Sequence, residues 1–249
     1  MTSKENIIGQ ILECSPWDDR LAPVLMSYGF QEPSKIWKDL ISLSRCANFK
    51  KIYPHFFSKL LELSLRSHNA DLALHNLQSF SEKFSDKDHL FTQLSDSEDL
   101  LEALIFLFSG SQILTDSLLS EPSYVNWLAL PGTLTKSKSK DILIRDFYEW
   151  EGFDEKDFSA LLRKFKKREY IRIGLRDLLG NVELMETVGD ISNLADVCLQ
   201  RAYEKANRDL QKKHGIPSYE DADGNLKVAE FAVLGMGKLG GQELNYSSD

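Results

Sequence analysis

Apolar residues recur three and four positions apart through almost all of the first 215 residues, a spacing that commits the chain to helices. Leu21, Val24, Leu25 and Tyr28 mark a helix between Trp17 and Tyr28 that Gly29 stops. Pro33 starts the next, with Ile36, Trp37, Leu40 and Leu43 on one face. Pro54 is expected to open a third through Phe57, Leu60, Leu61 and Leu65, and a fourth runs from about Asn69 to Phe84. The polar stretch from Phe84 to Glu98 reads as a linker or exposed turn. Leu100 to Phe108 is apolar enough for a central core helix, with Ser111 as the cap of a following helix over Gln112 to Leu119.

After a break at Pro122 and Pro131-Gly132, Thr133 to Lys140 (TLTKSKSK) is the most loop-like segment, short enough to be a joint. Asp154 is predicted to cap the longest helix, ending at Gly180. Another is predicted over Asp190 to His214, with Leu194, Cys198, Ala202, Ala206 and Leu210 in register, before Gly215 and Pro217. The character then changes. Asp221 to Gly224 (DADG) is a turn, and Phe231-Ala232-Val233-Leu234 reads as a strand ending at Gly235. That strand has little sheet to join, so fraying is expected after about residue 220. The fold class is mainly α, with regions expected at 1–92, 93–216 and 217–249.

Charge and cysteine usage exclude several function classes. Against 30 Lys+Arg stand 38 Asp+Glu, a net charge of −8, which does not suit wrapping nucleic acid by bulk charge. Cys14, Cys46 and Cys198 share no metal-ligand spacing, so neither a disulfide framework nor a zinc site is expected, and a reducing cytoplasm is. No apolar run approaches 20 residues, so no membrane span is expected. The five histidines are scattered, and His68 and His75 have no acidic ligand at helical spacing. Arg163, Lys164, Lys166, Lys167 and Arg168 form either a patch facing nucleotide or the acidic surface of a partner or, more simply, a solvated helix face. Glu169 and Arg172 are spaced as an i,i+3 pair.

The chemistry concentrates in Leu234 to Asp249, LGMGKLGGQELNYSSD. Gly235, Gly237, Gly240 and Gly241 let backbone N–H groups approach a phosphate, and Lys238 adds a point charge. Gln242 to Tyr246 is read as the start of a helix, and Ser247, Ser248 and Asp249 offer hydroxyls and a carboxylate. A Walker A loop is excluded because Leu239, not Ser or Thr, follows Lys238. Gly235, Gly237 and Gly240 match GxGxxG formally, a weak dinucleotide signal that arrives late for a Rossmann unit. A tight turn without any ligand stays open as well.

GMGKLGGQELNYSSD resembles the nucleotidyltransferase motif of the bacterial glutamine synthetase (glutamate-ammonia ligase) adenylyltransferase family. The stretches 106–128, 162–180 and 191–206 are similar to that family's helical parts, and the likeness covers roughly residues 95–249. It implies an amino-terminal helical region leading into the first strand and turn of an α/β nucleotidyltransferase domain. It further implies phosphate held by Gly235, Gly237, Lys238, Gly240 and Gly241, with Asp249 as Mg²⁺ ligand and catalytic residue and Ser248 beside it. ATP, ADP and phosphate are the implied substrates or products, and glutamine synthetase and the PII signal-transduction protein the implied partners. ELNYSSD is more like the deadenylylating of the family's two transferase domains. The family's second aspartate would follow Asp249, so the chain is expected to be an amino-terminal piece, inactive by itself. The competing expectations are a helical protein-interaction module with a structural glycine turn and a dinucleotide-binding oxidoreductase.

Overall fold

A computed structural model describes residues 4–13, 15–45, 49–151, 157–180 and 182–247. The chain divides into two units, residues 1–136 with 170–182, and residues 137–169 with 183–249. The first division falls between Lys136 and Ser137, inside the TLTKSKSK joint.

The first unit is all helix: α1 (Lys4–Leu12), a 3-10 turn (Asp19–Leu21), α2 (Ala22–Ser27), α3 (Pro33–Ser44), α4 (Phe49–Arg66), α5 (Ala70–Ser81), α6 (Lys87–Asp96), α7 (Glu98–Gly110), α8 (Gln112–Ser120) and α9 (Tyr124–Leu128). Helix α7 packs against α4, α5, α6 and α8. Its Ala103, Leu104, Ile105 and Leu107 are wholly buried. Phe56 stands edge-on to both Phe57 and Phe91, and Phe80 packs on Phe108 at 5.5 Å between ring centroids. Each such buried ring or leucine contributes about 1.5–3 kcal/mol. Caps fix the helix starts: Ser111, as the sequence indicates, accepts the Leu114 N–H at 3.4 Å, and Asn69 accepts that of Leu72 at 3.0 Å. Asn76 Nδ2 donates to the Phe108 carbonyl at 2.9 Å, tying α5 to the end of α7.

The second unit contains α10 (Lys140–Glu151), packed on α12 (Leu184–His214), then the hairpin β1 (Ser218–Glu220) with β2 (Leu226–Val228), and the short α13 (Gly237–Gly240). Helix α11 (Phe158–Leu178) contributes residues to both units. Tyr219 faces Lys227 across the antiparallel pair. The DADG turn is built on Asp221, whose Oδ1 accepts the N–H groups of Asp223 and Asn225, while Gly224 takes φ +81°. The mainly α fold class holds.

Several local readings need correction. Trp17 and Asp18 precede the helix: Asp18 caps the 3-10 turn, and Pro23 sits in the first turn of α2. Helix α4 begins at Phe49, so Pro54 lies inside it, its fixed φ helical at the loss of one ladder bond. The supposed linker from Phe84 to Glu98 contains α6, because Leu90, Phe91 and Leu94 bury one stripe beneath a polar face. Asp154 lies outside the described residues, and Asp157 accepts the Ala160 N–H at 3.0 Å near the start of α11. The longest helix is α12, with 31 residues against 21 for α11. Its buried stripe is Ile191, Leu194, Val197 and Arg201, whereas Ala202, Ala206 and Leu210 are exposed. Cys198 is only partly buried, and Cys14 and Cys46 lie outside the described residues. Phe231 to Leu234 forms no strand: the run has no regular structure and is exposed, with Phe231 stacked on Tyr203 at 5.5 Å. The two strands lie earlier, where the turn chemistry of DADG lets neighbouring segments pair.

Two clusters of the second unit absorb residues that the sequence singled out. Lys138 Nζ reaches Asp146 at 2.7 Å and the fully buried Glu169 at 2.8 Å. Arg168 lies over the Trp150 ring at 4.2 Å, while Arg163, Lys164, Lys166 and Lys167 are exposed, as a solvated face would be. Arg172 belongs to the first unit, is likewise fully buried and donates to the Lys136 carbonyl at 3.2 Å.

Candidate functional site

The glycine-rich segment folds into one tight turn within the second unit. Met236 is extended, Gly237 takes φ +55°, and α13 makes a single helical turn to Gly240. Gly240 donates to Met236 O at 3.3 Å, Gly241 to Gly237 O at 2.9 Å, and Glu243 to Lys238 O at 2.7 Å. Only glycine fits at 240: a Cβ there would stand 2.5 Å from the Gly235 carbonyl oxygen. The helix expected over Gln242 to Tyr246 is absent, and the helical turn falls on 237–240 instead. The reason is visible at Gln242, whose φ of +57° ends the helical path.

Of the sequence-derived site residues, Gly235, Gly237, Lys238, Gly240 and Gly241 are brought together in this turn, with Lys238 exposed. Ser248 and Asp249 lie outside the described residues. No group of three or more His, Cys, Asp or Glu among the described residues could hold a metal ion. The described side chains therefore do not themselves build the Mg²⁺ site that the family resemblance implies.

Residues not singled out in the sequence fasten the turn. Gln242 Nε2 donates to Asp196 Oδ2 on α12 at 3.2 Å, and the Leu244 N–H donates to Ser192 Oγ at 3.1 Å. Lys140, first residue of α10, forms an ion pair with the same Asp196 oxygen. A cleft of about 440 Å³ opens between the turn and these helices, lined by Lys140, Asp196, Tyr203, Gly235, Met236 and Leu239. A signal for this arrangement did exist, since Ser192 and Asp196 are four apart and so share a helix face. Nothing local, however, announces their partners some 50 residues on.

Burial pushes the Cys198 thiol up to about 11, further from the thiolate that a nucleophile needs. Among the described residues no single helix is long and apolar enough to cross a membrane.

Comparison with known proteins adds a second line. A family model described as glutamate-ammonia ligase adenylyltransferase matches residues 101–249. Three relatives are each described as a bifunctional glutamine synthetase adenylyltransferase/adenylyl-removing enzyme. The Thioalkalivibrio sulfidiphilus protein is 36% identical over 150 residues, 59% of this chain and 15% of that enzyme. The Hahella chejuensis protein is 25% identical over 249 residues, 94% of this chain and 26% of its own. The Acinetobacter baylyi protein is 28% identical over 205 residues, 80% of this chain and 22% of its own. The chain thus spans about a quarter or less of the length of these relatives.

Proposed function

The chain belongs to the glutamate-ammonia ligase adenylyltransferase family, and from that premise we propose that its glycine turn holds phosphate for nucleotidyl transfer on glutamine synthetase. In this reading the chain is the amino-terminal portion of a bifunctional enzyme that adds AMP to a tyrosine of glutamine synthetase and removes it. The part carried here belongs to the deadenylylating half. There, phosphate attacks the AMP phosphorus, the tyrosine oxygen departs with a proton, and ADP leaves. The cytoplasm is the setting, and a PII protein the regulatory partner.

The observation that carries the reading is the close approach of Gly240 to the Gly235 carbonyl. It fixes the turn around a position that admits only glycine, with Lys238 exposed to meet an anion. Lys238 supplies charge, and Gly235, Gly237, Gly240 and Gly241 supply room and backbone. Mg²⁺ and the catalytic roles of Asp249 and Ser248 enter through the family motif alone. Titration of the chain with inorganic phosphate and with ADP tests the binding. Saturable uptake that Lys238→Met weakens about tenfold is expected, the loss of one charge-assisted contact. Equal uptake by both proteins would remove Lys238 from the site.

One observation favours a second reading, a helical interaction module with a structural turn. The Gly240 and Gly241 N–H groups already bond within the turn. Binding of glutamine synthetase that neither phosphate nor nucleotide alters would support it. Family membership leaves no support for the dinucleotide-binding oxidoreductase.

A further inference from the structure

We propose that Asp196 is the positioning residue of the glycine turn, holding Gln242 in a left-handed backbone conformation that fixes where the turn ends. Among the described residues Gln242 is the non-glycine residue with positive φ, at +57°. Side chains with a Cβ adopt that region only when their surroundings impose it. Here the imposing contacts are on the amide: Nε2 donates to Asp196 Oδ2 at 3.2 Å and to the Leu239 carbonyl at 3.2 Å. One bond spans 46 positions of sequence and the other closes the turn on itself.

Asp196 is itself held. Lys140 pairs with the oxygen that receives Gln242, so the carboxylate has a fixed direction from which to accept the amide. One helical turn earlier Ser192 is oriented by its own bond to Val188 O at 2.7 Å and accepts the Leu244 N–H. Two residues on one face of α12 therefore anchor positions 242 and 244, immediately after Gly240 and Gly241. Lys140 and Asp196 also line the cleft with Gly235, Met236 and Leu239, so the support stands beside the turn rather than behind a distant core. Asp196 touches no reacting atom in this scheme. It acts through Gln242, and its role in phosphate binding rests on the reading of the turn given above.

Amide exchange on the 249-residue chain, with phosphate titration in parallel, separates this role from general support of α12. Asp196→Ala is expected to speed exchange at Gly241 and Glu243 about tenfold, with helix content unchanged. The rescue is specific: in a Gln242→Gly background, where glycine enters positive φ unaided, Asp196→Ala is expected to change those rates less than twofold. Phosphate affinity is expected to follow the same pattern, lost with Asp196→Ala and recovered in the double variant. Unchanged exchange in Asp196→Ala overturns the proposal, as does a loss that Gln242→Gly fails to rescue. If the unaltered chain takes up no phosphate, the phosphate reading of the turn falls, while the exchange comparison still decides the role of Asp196.

Discussion

Gly240 shows how little latitude a single position can have. The obstacle to a side chain there is the backbone oxygen of Gly235, which no rotamer change can move away. Gly240→Ala is therefore expected to open the turn at a local cost of about 1–3 kcal/mol. The checking measurement is loss of exchange protection at Gly241 and Glu243 together with loss of phosphate uptake. The main melting transition should stay in place, since the turn lies outside both helical cores. Contrast Gly174 in the first unit, where a Cβ would meet only the tip of the Leu114 side chain, at 2.3 Å. Cys198 makes the opposite kind of statement. Its thiol is raised from 9.0 to about 11 by burial, opposed by Lys166 and helped by Glu169. At pH 8 the native thiolate fraction is then about 100-fold below that of the unfolded chain, and iodoacetamide labelling should slow accordingly. The linked stability is complete below the unfolded value of 9.0 and is lost as pH rises toward 11. Labelling at the same rate in folded and denatured protein would contradict the burial.

Helix α6 shows where sequence periodicity fails and why. Its residues KDHLFTQLSD are mostly polar, and three buried apolar side chains in ten residues do not stand out from a linker. What makes it a helix is its packing against α4 and α7, together with Asp86, which accepts the His89 N–H at 2.9 Å. Asp86→Ala is expected to cost about 1 kcal/mol, read as a lowered denaturation midpoint with the slope unchanged. No change in midpoint would mean that packing alone holds α6. Elsewhere the signals are local and the sequence is readable: Pro33 opening α3, Asn69 near the start of α5, Ser111 as a cap, Gly180 and Gly215 as stops with φ +69° and +84°. The candidate site divides in the same way. Glycine spacing announced a tight turn at 235–241, but the strand expected before it required partners that the helical units do not supply. The clamp from Asp196 and Ser192 depends on tertiary placement of α12. On α12 itself the spacing misleads, because Ala202, Ala206 and Leu210 share a period with Leu194, while Arg201 takes the buried position. Its guanidinium lies over the Tyr148 and Phe147 rings, a burial that hydropathy does not foresee.

Across the whole molecule, apolar surface is distributed unevenly. Most of the exposed large apolar side chains among the described residues fall between Leu199 and Met236, including Leu226, Leu234 and Met236, each more than 70% exposed. The hairpin has no buried face, and a two-stranded ribbon without one is marginal in water. The TLTKSKSK joint looks more vulnerable in sequence, with three lysines in eight residues. In the fold it is better held. Within the first unit the Lys136 carbonyl receives Arg172, and within the second Lys138 is only 14% exposed between Asp146 and Glu169. Proteolysis follows opening rather than composition, so a protease should find the tail before the joint. Brief trypsin treatment is expected to cut after Lys227 and Lys238 first, leaving a product that ends at Lys227 and keeps the helical signal. Lys138→Met should bring cleavage at the joint closer to that of the tail, because residue 138 then loses its ties to Asp146 and Glu169 while Glu169 keeps Arg168. Early cleavage at the joint in the unaltered chain would show that these contacts do not hold it, whatever their distances.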